Sequence, residues 1–276
     1  MTLIRVAHSP DSDDAFMFYA LAHELLATGD YRFEHVLSDI ETLNQKAFEG
    51  TYEVTAVSIH AYAHLDGRYA LLSSGASMGD GYGPILVARE ALSKKDLSKC
   101  KVAIPGKLTS AALALKMWNA DLETTILPFD AIGPAVLAGD VDAGVVIHEG
   151  QLTWQEEGLH NIVDLGVWWS EETGGLPLPL GGNVVRRDLG GTVISEVSAL
   201  LRQSIEYSLA HRGQALDYAL EYGRGLDRAK ADRFVGMYVN ELTVDYGERG
   251  RKAMRLFLER AFSEGLIPRV PTLDFC

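Results

Sequence analysis

The chain predicts an α/β protein of two lobes around a cleft, and three observations carry that expectation. Apolar strand patterns alternate with helical ones through the first 90 or so residues, and the alternation restarts after Leu92. Two apolar strands also run out into polar, proton-handling side chains, at His8-Ser9-Pro10-Asp11-Ser12-Asp13-Asp14 and at His148-Glu149-Gly150. In open α/β proteins ligands bind at the carboxyl ends of strands.

Residues 3–7 form a short apolar run, and residues 13–27 follow at helical spacing behind a Ser/Asp cluster suited to capping. Residues 32–37 alternate as a strand, and the Ser38–Asn44 stretch caps a second helix that stops near Gly50. Residues 53–57 read as a strand, 58–65 as a helical turn and 83–88 as a further strand. Beyond Leu92, residues 101–104 read as a strand, 109–120 as an Ala/Leu-rich helix, 130–138 as a short helix and 143–147 as the strand that delivers His148.

The segment Gly174-Gly175-Leu176-Pro177-Leu178-Pro179-Leu180-Gly181-Gly182 is the strongest punctuation in the chain. After it, residues 193–210, 228–240 and 248–265 read as three amphipathic helices, a tail without strands that must pack back on the first lobe. The expected division is a larger lobe from residues 1–92 and 182–276 and a smaller one from 93–181, with crossings near 88–100 and 174–184.

At 276 residues, with 47% hydrophobic and 23% charged residues, the chain has material for a full-sized core. Its formal charge of −13, with no block of Lys or Arg, argues against nucleic acid and anionic membranes as partners. No apolar run reaches the roughly 20 residues of a membrane span, and no export signal opens the sequence, so a cytoplasmic location is expected. Two cysteines, Cys100 and Cys276, build neither a disulfide framework nor a four-cysteine zinc site. The sequence leaves a homo-oligomer open.

His148 at a strand end suits a general base, since an imidazole titrates near neutrality and a neighbour can orient it. A histidine that merely finishes a strand by bonding a loop has the same appearance, and Glu149 serves as a turn cap as readily as an orienting group. Pro105-Gly106-Lys107-Leu108-Thr109-Ser110 opens a helix whose unpaired amides and dipole favour an anion such as a carboxylate, although capping alone explains Thr109 and Ser110. Ser9, Asp11, Asp13 and Asp14 suit hydrogen bonds to ligand hydroxyls, or the start of a helix. Ser58 is another strand-end hydroxyl. His60 and His64 lack the glutamate of the zinc-protease motif, and no metal site is expected. Trp168-Trp169 suits either packing or the flank of a planar ligand.

Four stretches together, His8–Ala20, Asp39–Asn44, Tyr82-Gly83-Pro84 and Val146-Ile147-His148-Glu149, resemble the 1,4-dihydroxy-6-naphthoate synthases of the futalosine route to menaquinone. The likeness runs in order through nearly the whole chain and includes Leu176–Gly181. It implies a two-lobed fold like the type 2 periplasmic binding proteins, with a cleft between lobes. It also implies a carbon–carbon lyase that cleaves cyclic dehypoxanthine futalosine to 1,4-dihydroxy-6-naphthoate, with His148 as proton acceptor and no cofactor. The positions matching substrate contacts are Ala56, Val57 and Ser58 together with Thr109 and Ser110, while Ser9 and Asp14 stand on the facing wall. The partner implied is a small-molecule carboxylate. A cytoplasmic solute-binding protein of the same fold and the sister enzyme chorismate dehydratase are the alternatives.

Overall fold

The computed structural model describes residues 1–65 and 67–276. The chain opens with β1 (Thr2–His8), α1 (Ser12–Ala22), β2 (Tyr31–Leu37), α2 (Ile40–Glu49), β3 (Val54–Ser58), α3 (Ile59–Tyr62), β4 (Tyr69–Leu71) and β5 (Ser77–Gly79). It continues with β6 (Ile85–Ala88), β7 (Lys101–Ile104), α4 (Ser110–Trp118), β8 (Glu123–Ile126), α5 (Phe129–Ala138), β9 (Ala143–Val146), α6 (Gly150–Thr153), β10 (His160–Asp164) and α7 (Leu165–Thr173). The last part holds β11 (Leu178–Arg186), α8 (Gly191–Ala210), α9 (Arg212–Leu220), α10 (Arg228–Tyr238), α11 (Glu241–Val244) and α12 (Gly247–Ser263).

Two sheets organise these elements. The first runs β2-β1-β3-β11-β4, with β5 joined to β11; the second runs β10-β6-β9-β7-β8. β1 is parallel to β2 and β3, whereas β11 returns antiparallel to β3, β4 and β5. Fully buried strands read as continuous apolar runs, and β3, β6 and β9 are buried at every position.

The first sheet carries α1, α8, α9 and α10 on one face, where Ile4, Val6, Phe16, Phe18, Val197, Leu201 and Val235 share a core. Another core runs through both lobes, joining Val102, Leu113 and Trp169 of the second lobe to Tyr69, Val184, Met254 and Phe257 of the first. The tail therefore packs on the first lobe, and α12 on β11.

Several expectations change. β6, expected in the first lobe, lies between β9 and β10, because its four apolar residues complete the second sheet. The crossing thus precedes residue 85, and a boundary after 92 falls one strand too late. On the return, a boundary at 182 cuts β11, which already pairs with β5 at Leu178. The tail is also not strandless, since β11 occupies the middle of the first sheet and Pro179 sits at the register shift where a missing N–H is tolerated. α1 ends at Ala22, five residues early, where Glu24 turns left-handed at φ 54°. Trp168 and Trp169 stand on α7, and the Trp169 Nε1–H donates to Pro177 O at 3.0 Å, so the pair packs the core. Among the described residues no helix is long and apolar enough to cross a membrane.

Candidate active site

A cleft of about 730 Å³, its open mouth included, lies between the lobes. Ser9, Asp14, Ala56, Val57, Ser58, Thr109, Ser110 and His148, the residues singled out in the sequence, all line it. They arrive from separate elements: the β1–α1 turn and the first turn of α1, the end of β3, the start of α4 and the end of β9. His60 and the tryptophan pair do not line it. His60 is buried behind α4, with its Nδ1 3.3 Å from Thr109 O.

The β1–α1 turn decides the electrostatics. Asp11 holds the N-cap position of α1, yet its side chain makes no capping bond. It forgoes a contribution of about 1 kcal/mol because its carboxylate is engaged elsewhere. One oxygen lies 2.8 Å from His148 Nδ1, and the other accepts from Arg224 at 3.0 Å. Asp14 is likewise diverted, accepting from the Ser9 amide at 2.8 Å. Asp13 keeps one buried carboxyl oxygen without a partner.

His148 sits at φ 52°, a left-handed conformation rare for a residue with a Cβ. Its neighbours fix it there. The Gln151 amide, oriented so that its nitrogen meets Gly83 O at 2.8 Å, accepts from the Tyr238 hydroxyl at 3.0 Å and from the His148 amide at 3.3 Å. The Phe129 ring packs edge-on at 4.9 Å. With Nδ1 committed to Asp11, Nε2 is the ring nitrogen available to a ligand.

Burial by itself would lower the imidazole, but the charge and hydrogen bond of Asp11, with Glu149 and Asp13 behind, prevail and raise His148 to about 9. Burial works against Asp11 too, but His148 and Arg224 hold it below the usual carboxylate range. Burial, then the charge of Asp11, lifts Asp13 to about 7. Burial, then Asp13, raises Asp14 well above the usual range. Near neutral pH the site thus holds an imidazolium, a paired carboxylate and one carboxyl close to its midpoint, beside an Asp14 whose protonated form burial favours.

The facing wall is the start of α4. The Thr109 hydroxyl accepts from the Ala112 amide at 3.1 Å and donates to Gly106 O at 2.9 Å, so it is a cap and not a free hydroxyl. The Ser110 hydroxyl donates to Leu180 O. What this wall offers a ligand is therefore the first-turn amides of Ser110 and Ala111, which have no carbonyl four residues back within the helix. Ser58 Oγ accepts from Asn44 Nδ2 at 3.1 Å, leaving its proton free to donate.

Sequence reasoning missed Arg224, Gln151, Asn183, Phe234 and Tyr238. Arg224 lies between glycines in the loop joining α9 to α10, where no local pattern marks it. Glu149 holds the N-cap position of α6, but its side chain makes no capping bond and instead accepts from Arg224 at 2.8 Å.

Two α/β lobes around a cleft lined by polar and apolar side chains define a fold of the periplasmic-binding-protein type. The alkanesulfonate-binding protein of Xanthomonas axonopodis pv. citri, solved with MOPS bound, superposes with a TM-score of 0.72 at 15% identity, covering 99% of this chain and 96% of that one. A protein of Archaeoglobus fulgidus of known crystal structure superposes at 0.92 with 50% identity, over 96% of this chain and 98% of that one. Residues 4–263 match a family described as menaquinone biosynthesis. The 1,4-dihydroxy-6-naphthoate synthase of Thermus thermophilus is 40% identical over 98% of each chain, and that of Streptomyces coelicolor 38% identical over 96% of this chain and 95% of its own. The chain belongs to this menaquinone-biosynthesis family of 1,4-dihydroxy-6-naphthoate synthases, and it is an enzyme rather than a receptor.

Proposed function

We propose that the chain converts cyclic dehypoxanthine futalosine to 1,4-dihydroxy-6-naphthoate in the cytoplasm, with His148 as the base and no redox cofactor. The observation that supports this most is the Asp11–His148 pair at 2.8 Å, set in a cleft whose other wall is a helix N-terminus. The base takes the proton of a hydroxyl on the carbon β to a ring carbonyl. The carbon–carbon bond between the α and β carbons breaks, its electron pair passing to the carbonyl as an enolate while the β-carbon leaves as the carbonyl of the sugar-derived portion. Return of the proton to the enolate oxygen leaves an aromatic ring system.

Each wall has its part. The amides at the start of α4 hold the substrate carboxylate or developing negative charge, while Ser58, with the backbone of Ala56 and Val57, orients the bicyclic portion. Ser9 and the Asp14 carboxyl face the hydroxyls of the sugar-derived portion. Asp11 accepts from Nδ1–H and fixes the tautomer that presents Nε2.

The pairing also dictates a pH dependence. With His148 raised to about 9, only about one molecule in a hundred carries a neutral imidazole at pH 7 in the unliganded site. The base form gains as pH rises through that value, so kcat/KM climbs on its acid side. Purified protein incubated with cyclic dehypoxanthine futalosine, followed by chromatography with mass detection, tests the assignment. Formation of 1,4-dihydroxy-6-naphthoate is expected; tight binding without product, or turnover of chorismate instead, would overturn it.

A further inference from the structure

Behind His148 the charges close into a ring that crosses the cleft. Glu149 and His148 are neighbours at the end of β9 in the second lobe, whereas Asp11 and Arg224 belong to the first lobe. Arg224 donates to Glu149 Oε2 at 2.8 Å, to Asp11 Oδ1 at 3.0 Å and to Pro10 O at 3.1 Å. Its guanidinium also lies 4.6 Å from the centroid of the Phe129 ring, the same ring that packs against His148. A planar fork with five N–H donors suits this two-sided grip, and a lysine does not reproduce it.

The backbone is shaped for the task. Arg224 stands at φ 46° and is followed by Gly225 at φ 86°, two successive left-handed residues that turn the α9–α10 loop toward the cleft. The Asp11 side chain is 3% exposed, so Arg224 and His148 are the cations that satisfy it there.

We propose that Arg224 is a positioning residue, an interlobe latch that grips one oxygen of Asp11 and thereby governs how strongly Asp11 orients and holds the proton of His148. The catalytic part of this inference rests on His148 being the base; the latch itself does not. The groups facing His148 are Asp11, Asp13 and Asp14 from the β1–α1 side, its neighbour Glu149, Arg224 from the α9–α10 loop, and Tyr238 and Gln151. Arg224 is the cation among them, and it competes with His148 for Asp11. Its removal leaves the whole carboxylate to the imidazole.

Histidine NMR of the free protein tests this without substrate, with His148→Gln assigning the resonance. In Arg224→Gln the His148 titration midpoint is expected to rise by about one pH unit. At pH 7 that lowers the neutral fraction in the free enzyme, and with it kcat/KM, about tenfold, and it moves the acid limb of the kcat/KM profile up by the same unit. Arg224→Lys, which keeps the charge but not the fork, should give a smaller rise and partial activity. A midpoint that is unmoved or lowered in a folded variant, with folding checked by thermal melting, overturns the latch. A raised midpoint in protein that makes no product from the proposed substrate would overturn the functional reading and leave the latch standing.

Discussion

At the scale of single residues, the site is a set of titrating groups that shift one another. His148→Gln keeps the volume but not the basicity, and should lower turnover by roughly 10²–10⁴-fold with the fold intact, as read by steady-state rates beside a melting curve. Asp13 tests the electrostatics in the direction opposite to Arg224. Asp13 helps raise His148, so Asp13→Asn should lower the His148 midpoint and move the acid limb of kcat/KM to lower pH; an upward move would contradict the charge assignment. His148 could be placed at the cleft because it follows directly on an apolar strand, and Asp14 because it belongs to the polar cluster between such a strand and a helix. Arg224 was not, since it meets Asp11 across 213 residues and Glu149 across 75, and such pairings leave no local trace. The role of Asp11 was also hidden, because an aspartate ahead of a helix looks the same whether it caps or pairs.

The elements deliver these residues through their ends. α2 and α4 share a device, an N-cap side chain that accepts from an amide in the first turn, Asp39 from Thr42 and Thr109 from Ala112. Asp39→Ala and Thr109→Ala should each cost about 1 kcal/mol in denaturant unfolding. Only Thr109→Ala should also raise KM, because the first turn of α4 lines the cleft; equal KM values in the two variants would remove the α4 amides from substrate binding. α2, α4 and β3 were legible from a cap or an apolar run, whereas α7 was not, although Asp164 caps it. β8 was not, because Glu123-Thr124-Thr125-Ile126 is a half-exposed edge strand, and β11 was not, because its Pro and Gly read as a turn. Those residues lie in a strand because the sheet pairs around them, which is a tertiary effect that propensity does not record.

For the whole molecule, two sheets and a shared core hold the lobes at a spacing that the crossings enforce. Gly166, at the start of α7, lies against the Tyr82-Gly83 crossing, and a Cβ there would stand 1.9 Å from Tyr82 O and 2.6 Å from Gly83 N. Gly166→Ala should therefore destabilise the protein by roughly 1–3 kcal/mol or more and displace the crossing that leads to β6; an unchanged denaturation midpoint would show that the crossing is looser than its packing indicates. The two-lobe plan was legible because the strand–helix alternation restarts. The boundaries were not, because β6 has the same apolar character as the strands of either sheet and only its pairing with β9 and β10 assigns it. The central claim is that an imidazole paired with Asp11 acts as the base between these lobes. Its most direct test is kcat/KM for 1,4-dihydroxy-6-naphthoate formation from about pH 6 to about pH 10, for the unmodified chain and for His148→Gln. A rise of about tenfold per pH unit toward a limb near the His148 midpoint of about 9, lost in the variant, is the expected result. A flat profile, or a variant with near-normal rates, would contradict it.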